Sequence, residues 1–147
     1  MRGVTILEIL ISVAIIAIVA TMFVGVFGGW RASGALEEAR SNIIGMLKDA
    51  RSRTLASENN MTYGVHFETG KAVLFKGAVY VGSDSSNENY VLPGSVKISN
   101  INLTGGAVDT VFTRLLGTTT ASGTITIESK RDQNTRAIII FATGNAE

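Results

Sequence analysis

One ionisable residue stands at the head of a long apolar run and is the first candidate for a chemical role. Glu8 precedes Ile9–Trp30, 22 residues without a charge, in which only Ser12 and Thr21 carry polar side chains. About 18 consecutive apolar residues predict a membrane-crossing helix, and a carboxylate deep in a bilayer costs roughly 2.5–3.5 kcal/mol or more. An amine one helical turn away could offset that cost by forming an ion pair with Glu8.

Three interpretations of this N-terminal region compete. A secretory signal peptide has an apolar core of about 7–15 residues and a small-x-small cleavage site, whereas this run is longer and no convincing site follows it. A single-span anchor explains the length, with Glu8 reaching back to the membrane surface. Cleavage after Gly3 would place a free α-amine on Val4, one helical turn from Glu8 and beside the positive end of the helix dipole.

The N-terminal residues resemble the signature of the type IV pilin and pseudopilin superfamily. The matching residues are Gly3, then Val-Thr-Ile-Leu-Glu from Val4 to Glu8, then the apolar segment 9–20. The resemblance implies that a prepilin peptidase cleaves between Gly3 and Val4 and N-methylates Val4. It also implies that Glu8, with Thr5 beside it, recruits and registers each new subunit in a helical filament.

The resemblance implies a leader (1–3) followed by a transmembrane assembly helix (4–30). The residue pattern predicts an amphipathic continuation of that helix (31–57) and a β-rich head (58–147). In the continuation, Leu36, Ile43, Leu47 and Ala50 recur at helical spacing and predict one apolar stripe in contact with the head.

Three glycines interrupt the helix propensity of the assembly helix. Gly25, Gly28 and Gly29 each weaken a helix by up to about 1 kcal/mol. They allow either close packing between helices or local melting of the helix during assembly, and the sequence leaves both alternatives open.

The predicted fold is α+β: a long N-terminal helix, membrane-spanning in its first half and amphipathic in its second, packed on an antiparallel β-sheet. Alternation from Met61 to Glu68 has the period of a half-buried strand. Further strands are predicted at 72–75, 78–81, 96–103, 110–116, 124–128 and 137–142, with a loop at 83–94 and a bulge near Asn100.

The head resembles the GspH/FimT group of minor pseudopilins and minor pilins. The matching residues are Ala-Arg-Ser-Arg at 50–53, Phe112 to Gly117, Gly-Thr-Ile-Thr-Ile at 123–127, Arg-Ala-Ile-Ile-Ile at 136–140, and Gly144. This resemblance implies a minor rather than a major subunit.

Composition excludes several classes of function. The chain has no Cys, so disulfide scaffolds, Cys–zinc sites and cysteine nucleophiles are excluded. The net charge of +1, from 13 basic and 12 acidic side chains, gives no strong attraction to nucleic acid. Because Walker, Rossmann and G-x-S-x-G patterns are also missing from the sequence, we expect neither an enzyme nor a cofactor-binding protein.

Two polar features of the head have simple interpretations. The one imidazole, His66, falls on the strand face opposite Val65 and Phe67, so we expect it to be exposed. The segment 84–89 offers alternating oxygen ligands that resemble part of a calcium loop, but it lacks the glycine and the distal glutamate of that motif. We interpret it as a solvated loop and expect no metal.

Basic residues near the C-terminus are candidate contacts for DNA. Lys130, Arg131 and Arg136 bracket the last turn, and Arg114 is expected nearby, so three or four cations could touch backbone phosphates. Glu128 and Asp132 dilute this charge. A solvated hairpin is therefore the favoured interpretation, and we do not expect nucleic acid among the partners.

The resemblance thus implies a structural subunit of a type IV pilus-like filament or a type II secretion pseudopilus. Its expected partners are other pilin or pseudopilin subunits, prepilin peptidase, the inner-membrane assembly platform and membrane lipid. Its expected location is the bacterial cytoplasmic membrane, with the head outside the cytoplasm, and then a filament. The alternative is a single-span surface binding protein, or a DNA-uptake minor pilin whose head binds DNA.

Overall fold

A computed structural model describes residues 5–147, except for the side chains of residues 22–32. Helical backbone (α1) occupies Ile6–Leu55, with Thr5 as N-cap and Ala56 as C-cap. The described side chains of this segment form two groups. We call residues 5–21 the N-terminal stretch and residues 33–55 the head-bound stretch.

The head-bound stretch carries the predicted apolar stripe, and its burial confirms that prediction. Leu36, Ala39, Ile43, Leu47 and Ala50 are each at most 1% exposed. Their spacing of three, four, four and three residues puts them on one helical face. That face forms the helical side of the hydrophobic core.

Seven strands follow the helix and form two antiparallel sheets. The strands are β1 (Tyr63–Glu68), β2 (Lys71–Lys76), β3 (Glu88–Val91), β4 (Val96–Leu103), β5 (Asp109–Val111), β6 (Gly123–Ser129) and β7 (Thr135–Ile140). A four-stranded sheet has the order β3-β2-β1-β5, and a three-stranded sheet has the order β4-β6-β7. The head-bound stretch contacts both sheets.

The core lies between α1 and the inner faces of the two sheets. The first sheet contributes Val65, Phe67 and Leu74, and the second contributes alternating residues of β6 and β7, such as Ile125 and Ile138. Alternation with period two puts these side chains on one face of each strand. One continuous core therefore holds the helix and both sheets together.

The predicted fold class was wrong. We expected one long helix, membrane-spanning in its first half, on one antiparallel sheet. The structure instead gives two shorter helical stretches with described side chains, 6–21 and 33–55, and two sheets. Among the described residues, no helix is long and apolar enough to cross a membrane.

The strand predictions had mixed outcomes. The strand at 96–103 is confirmed as β4, and so is its bulge, because the register with β6 shifts between Ile98 and Asn100. The predicted strand at 78–81 is a loop, and the predicted loop at 83–94 contains β3. Among the described strands, β3 pairs with β2 alone, and it is mostly exposed. An exposed edge strand can have a polar sequence without the apolar alternation of a buried strand.

A buried hydroxyl joins the end of α1 to the first sheet. Thr54 is fully buried, and its Oγ1 donates to the Ala50 carbonyl at 2.8 Å and accepts from the Tyr63 N–H at 2.9 Å. Because a buried N–H without a partner is costly, this contact positions β1 against the end of the helix.

Candidate functional site

The start of α1 is organised by Thr5. Its side-chain Oγ1 accepts a hydrogen bond from the Glu8 N–H at 3.3 Å, and its main-chain carbonyl accepts from the same group at 3.1 Å. Thr5 therefore acts as an N-cap, which is a favoured role for this residue type. The capped first turn contains the Glu8 carboxylate, near the positive end of the helix dipole.

The Glu8 side chain is exposed and forms no ion pair with the side chains that the structure describes. Its main-chain carbonyl accepts from the Ser12 hydroxyl at 2.8 Å. That bond leaves the carboxylate oxygens uninvolved. The carboxylate is therefore accessible to a cation from outside the described chain.

The apolar side chains around Glu8 are also uncovered. All residues from 5 to 21 are exposed, and Ile6 and Ile16 are 80% and 67% exposed. Contiguous apolar surface of this kind marks sites of association with protein or membrane. Glu8 and this apolar surface together form the first candidate site.

Several predicted site residues lie outside the described part of the chain. Gly3 and Val4, the predicted cleavage and methylation site, precede the first described residue. Gly25, Gly28 and Gly29 fall in 22–32, outside the described side chains. The processing and melting interpretations of these residues stay predictions.

The motif residues of the head meet at Arg51. The Arg51 Nε donates to the Gly117 carbonyl at 3.1 Å, and its Nη2 donates to the Thr143 carbonyl at 3.5 Å. Gly144 adopts a φ of +85°, and a Cβ there would collide with the Gly117 carbonyl oxygen. The close approach at Arg51 thus requires glycine at position 144.

A groove of about 460 Å³ opens beside this contact, between the last turns of α1 and the C-terminal turn. We call it the distal groove, and its lining residues are Lys48, Arg51, Ser52, Leu55, Gly144, Asn145 and Ala146. Within the described part of the chain, its charged lining residues are both cations. The distal groove is the second candidate site.

A hairpin at 113–118 borders the distal groove. The Gly117 carbonyl at its base accepts from Arg51, and the Thr113 N–H donates to the Thr118 carbonyl at 2.8 Å. At its tip, Leu115 and Leu116 are 85% and 73% exposed, and Leu115 has a φ of +69°. Such a left-handed conformation costs a branched residue about 1–2 kcal/mol.

The second arginine of the motif, Arg53, has a structural role. It donates to Glu88 on β3 and to Asp49 one turn earlier on α1, and its guanidinium lies 5.9 Å from the Tyr63 ring centroid. The hydrogen bonds that Arg53 donates to Glu88 and then to Asp49 raise its pKa. These contacts hold the edge strand β3 against the helix.

Arg114 lies apart from the cations of the last hairpin with which it was predicted to contact DNA. Arg136 pairs with Glu37 at 3.6 Å near the start of the head-bound stretch, whereas Arg114 donates to the Asn60 carbonyl beyond its end. Residues 37 and 55 of a helix are roughly 27 Å apart at 1.5 Å per residue. The expectation that Arg114 lies near the other three was therefore wrong.

The remaining two cations lie in the last hairpin. Lys130 donates from Nζ to the Gly94 carbonyl at 3.0 Å, and Arg131 is exposed in the same turn. Asp132 is two residues from Lys130 and accepts from Asn134 at 2.6 Å. The turn therefore has the mixed charge expected of a solvated hairpin.

His66 is not the exposed strand residue that alternation predicted. It does lie on the face of β1 opposite Val65, but its side chain is only 15% exposed because the Tyr80 ring stacks on it at 3.9 Å between centroids. Burial lowers the pKa of His66, although Asp109 and Glu68 oppose that shift. The buried Nδ1 has no hydrogen-bond partner among the described residues.

Two of these features were missed by sequence reasoning. Tyr80 belongs to the loop 77–87, and its sequence position gave no signal that it would cover β1. The distal groove joins residues about 90 positions apart, although Lys48, Arg51, Ser52 and Leu55 share one helical face by their spacing. That spacing is the one signal in the sequence that could have indicated the groove.

The Asp84 carboxylate organises its own loop. Its Oδ1 accepts from the Ser86 N–H and from the Ser86 hydroxyl, both at 2.8 Å, and these bonds lower the pKa of Asp84. A side chain that bonds two residues ahead is typical of a tight turn. This carboxylate is thus used within the loop.

Comparison with known proteins identifies no relative of this chain. No family model matches the chain, and neither a curated protein nor a solved structure matches it. The resemblance to pilins therefore depends on the residues named above, and it stays a prediction.

Proposed function

We propose that the chain is a structural subunit of a type IV pilus-like filament or of a type II secretion pseudopilus. In this proposal, prepilin peptidase cleaves between Gly3 and Val4, and the subunits associate through their N-terminal stretches. Other subunits, the peptidase and an assembly platform are the partners, and the head has no catalytic role.

The observation that carries the proposal is the exposure of the N-terminal stretch. Its apolar residues have no cover within the described chain, whereas the head-bound stretch buries its apolar stripe under two sheets. Burial of apolar area is worth about 25 cal/mol per Å². Association between copies of the N-terminal stretch would therefore gain free energy from each apolar side chain that it removes from water.

The state of Glu8 supports the same proposal. Its carboxylate is exposed and forms no ion pair with a described side chain, although it is surrounded by residues that would be buried in an assembly. A carboxylate buried among apolar groups needs a cationic partner. The amine of Val4 on a neighbouring copy is the partner that the proposal provides.

The first test is the intact mass and the N-terminal sequence of the protein expressed together with a prepilin peptidase. The expected product begins with N-methylated Val4. Recovery of an unprocessed N-terminus, with a peptidase that cleaves a control substrate, would contradict the proposal.

A second test separates assembly from folding. Glu8→Ala is expected to abolish recovery of the subunit in sheared filaments, while the head keeps its unfolding temperature. Glu38→Ala is the matched control, because Glu38 is an exposed acid on the head-bound stretch, and it should be recovered normally. Normal recovery of the Glu8 variant would remove the role assigned to this residue.

Binding of DNA by the head is not proposed. Arg136 is paired with Glu37 near the start of the head-bound stretch, whereas Arg114 contacts Asn60 beyond its end, and Lys130 donates to the Gly94 carbonyl. An electrostatic footprint for nucleic acid needs cations on one continuous face. The predicted membrane location also stays a prediction.

A further inference from the structure

We propose that the distal groove and the hairpin 113–118 form a docking surface for an acidic, aliphatic segment of a partner protein. This surface is at the end of α1 remote from the N-terminal stretch. The inference concerns the head and does not depend on filament assembly.

The shape of the surface suits a side chain of a partner. The groove of about 460 Å³ has α1 on one side and the C-terminal turn on the other. Its base is held in place, because Arg51 donates to the Gly117 and Thr143 carbonyls and Gly144 permits their close approach. A preformed groove reduces the entropy that is lost when a ligand binds.

The charge of the surface determines which partner it favours. Arg51 and Arg114 donate to neutral main-chain carbonyls, and Lys48 forms no ion pair with a described side chain. By contrast, Arg53 contacts two carboxylates. Cations that are not neutralised within the chain attract a carboxylate from outside it.

The apolar residues of the docking surface are exposed and are not buried in the core of the head. Leu115 and Leu116 are almost fully exposed at the hairpin tip, and Leu55 is 41% exposed beside the hairpin base. Leu115 is also held in the left-handed region, which disfavours a branched residue. Strain in an exposed loop often accompanies a binding function, and a partner with aliphatic side chains would cover these leucines.

The same residues argue against nucleic acid as the occupant. Proteins that bind single strands combine cations with aromatic side chains on which bases stack. The groove lining contains no aromatic residue in the part of the chain that the structure describes. Aliphatic residues beside cations instead match a peptide with alternating aliphatic and acidic residues.

The test uses the full chain in detergent micelles and a phage-displayed library of random dodecapeptides. The library is first depleted on the double variant Lys48→Glu/Leu116→Ser and then selected on the unchanged protein. Enriched peptides are synthesised with a fluorescein label, and their affinities are measured by fluorescence anisotropy. Thermal unfolding verifies that each variant is folded.

Matched variants on other surfaces provide the controls. Val91→Ser changes an aliphatic residue of similar exposure, 70% against 73% for Leu116, and Arg131→Glu reverses an exposed charge in the last hairpin. Enriched peptides are expected to contain acidic and aliphatic residues. Lys48→Glu and Leu116→Ser should each weaken binding about tenfold, while the controls change it by less than about twofold.

Three results would overturn the proposal. The first is a selection that enriches no peptide after depletion. The second is enrichment of peptides without acidic residues, or of peptides that bind the groove variants and the controls equally. The third is binding of a labelled single-stranded oligonucleotide, lost in Lys48→Glu, when no peptide is enriched, because that result identifies nucleic acid as the occupant.

Discussion

The two described stretches of α1 share a helical backbone and differ in what their side chains contact. In the N-terminal stretch every described side chain is exposed, and Ile6 is 80% exposed. In the head-bound stretch Ile43 and Leu47 are at most 1% exposed because two sheets cover them. The backbone conformation alone therefore does not indicate where the free energy of folding is gained.

The difference follows from the distribution of apolar residues around the helix. The head-bound stretch is amphipathic, so one face packs on the sheets and the other faces solvent. The N-terminal stretch is apolar on all sides. A single contact with the head could cover only one of these sides. A helix that is apolar on all sides needs a partner that surrounds it. Four experiments would test this contrast between the N-terminal stretch and the head-bound stretch.

The largest effect is expected from truncation within the buried stripe. Leu47→Ala should lower the free energy of unfolding by about 2–5 kcal/mol, because it removes a buried side chain and leaves a cavity. Ile11→Ala, at a residue 52% exposed, should change it by less than about 0.5 kcal/mol. Denaturation of the full chain, monitored by hydrogen exchange of strand amides, measures the free energy of unfolding of both variants. Equal losses would break the contrast between the stretches.

A smaller loss is expected where the head-bound stretch meets the first sheet. Thr54→Val should cost about 1–3 kcal/mol, because it leaves the buried Tyr63 N–H without its acceptor. Thr54→Ser keeps the hydroxyl and should cost about 1 kcal/mol, the value of the lost methyl group. If both variants lose the same stability, the hydrogen bond does not hold this junction.

A gain is expected at Gly45 on the exposed face of the head-bound stretch. A Cβ at this position would meet nothing within 4 Å, and alanine favours a helix over glycine by about 0.5–1 kcal/mol. Gly64→Ala is the contrasting variant, since its Cβ would lie 2.6 Å from the Thr110 carbonyl oxygen. Thermal unfolding should therefore shift up for Gly45→Ala and down for Gly64→Ala.

The smallest expected effect is a pH dependence of the folding stability. It arises from His66 on β1, in the head, and not from either stretch of α1. Burial holds the pKa of His66 below its usual value of 6.5, so the unfolded chain binds a proton more readily than the folded chain. Stability should thus fall as the pH decreases from 6.5 towards the folded pKa, and then become constant.

The matched variant for this prediction is His66→Gln, which removes the only imidazole of the chain. It should lose this part of the pH dependence, while other titrating groups keep theirs. Denaturation midpoints between about pH 5 and 7.5 measure the effect. An unchanged slope in the variant would contradict the assignment to His66.

The sequence predicted those elements whose signal is local. The stripe from Leu36 to Ala50 and the strand β4 with its bulge are confirmed, because periodicity along the chain determines which residues share a face. The edge strand β3 was missed because its residues are polar. The exposure of His66 was wrong because Tyr80, 14 residues later, covers it.

The prediction of the fold class was wrong for a different reason, because it depended on how the strands pair. Periodicity indicates the type of each element, but it contains no information on how seven strands divide between sheets. Here the strands form a four-stranded sheet, β3-β2-β1-β5, and a three-stranded sheet, β4-β6-β7, and both sheets contact α1. Pairing between distant segments, such as β1 with β5, decides that arrangement.

The sequence by itself determined which helical segment is amphipathic, where Glu8 stands in the apolar run and that cysteine chemistry is excluded, because these depend on residue type and spacing. The tertiary structure alone decided that Arg51 meets Gly117 and Thr143, that Tyr80 covers His66, and that Arg114 lies far from Arg136. Each of these contacts joins segments that are distant in the chain, and only packing of the whole core brings such segments together.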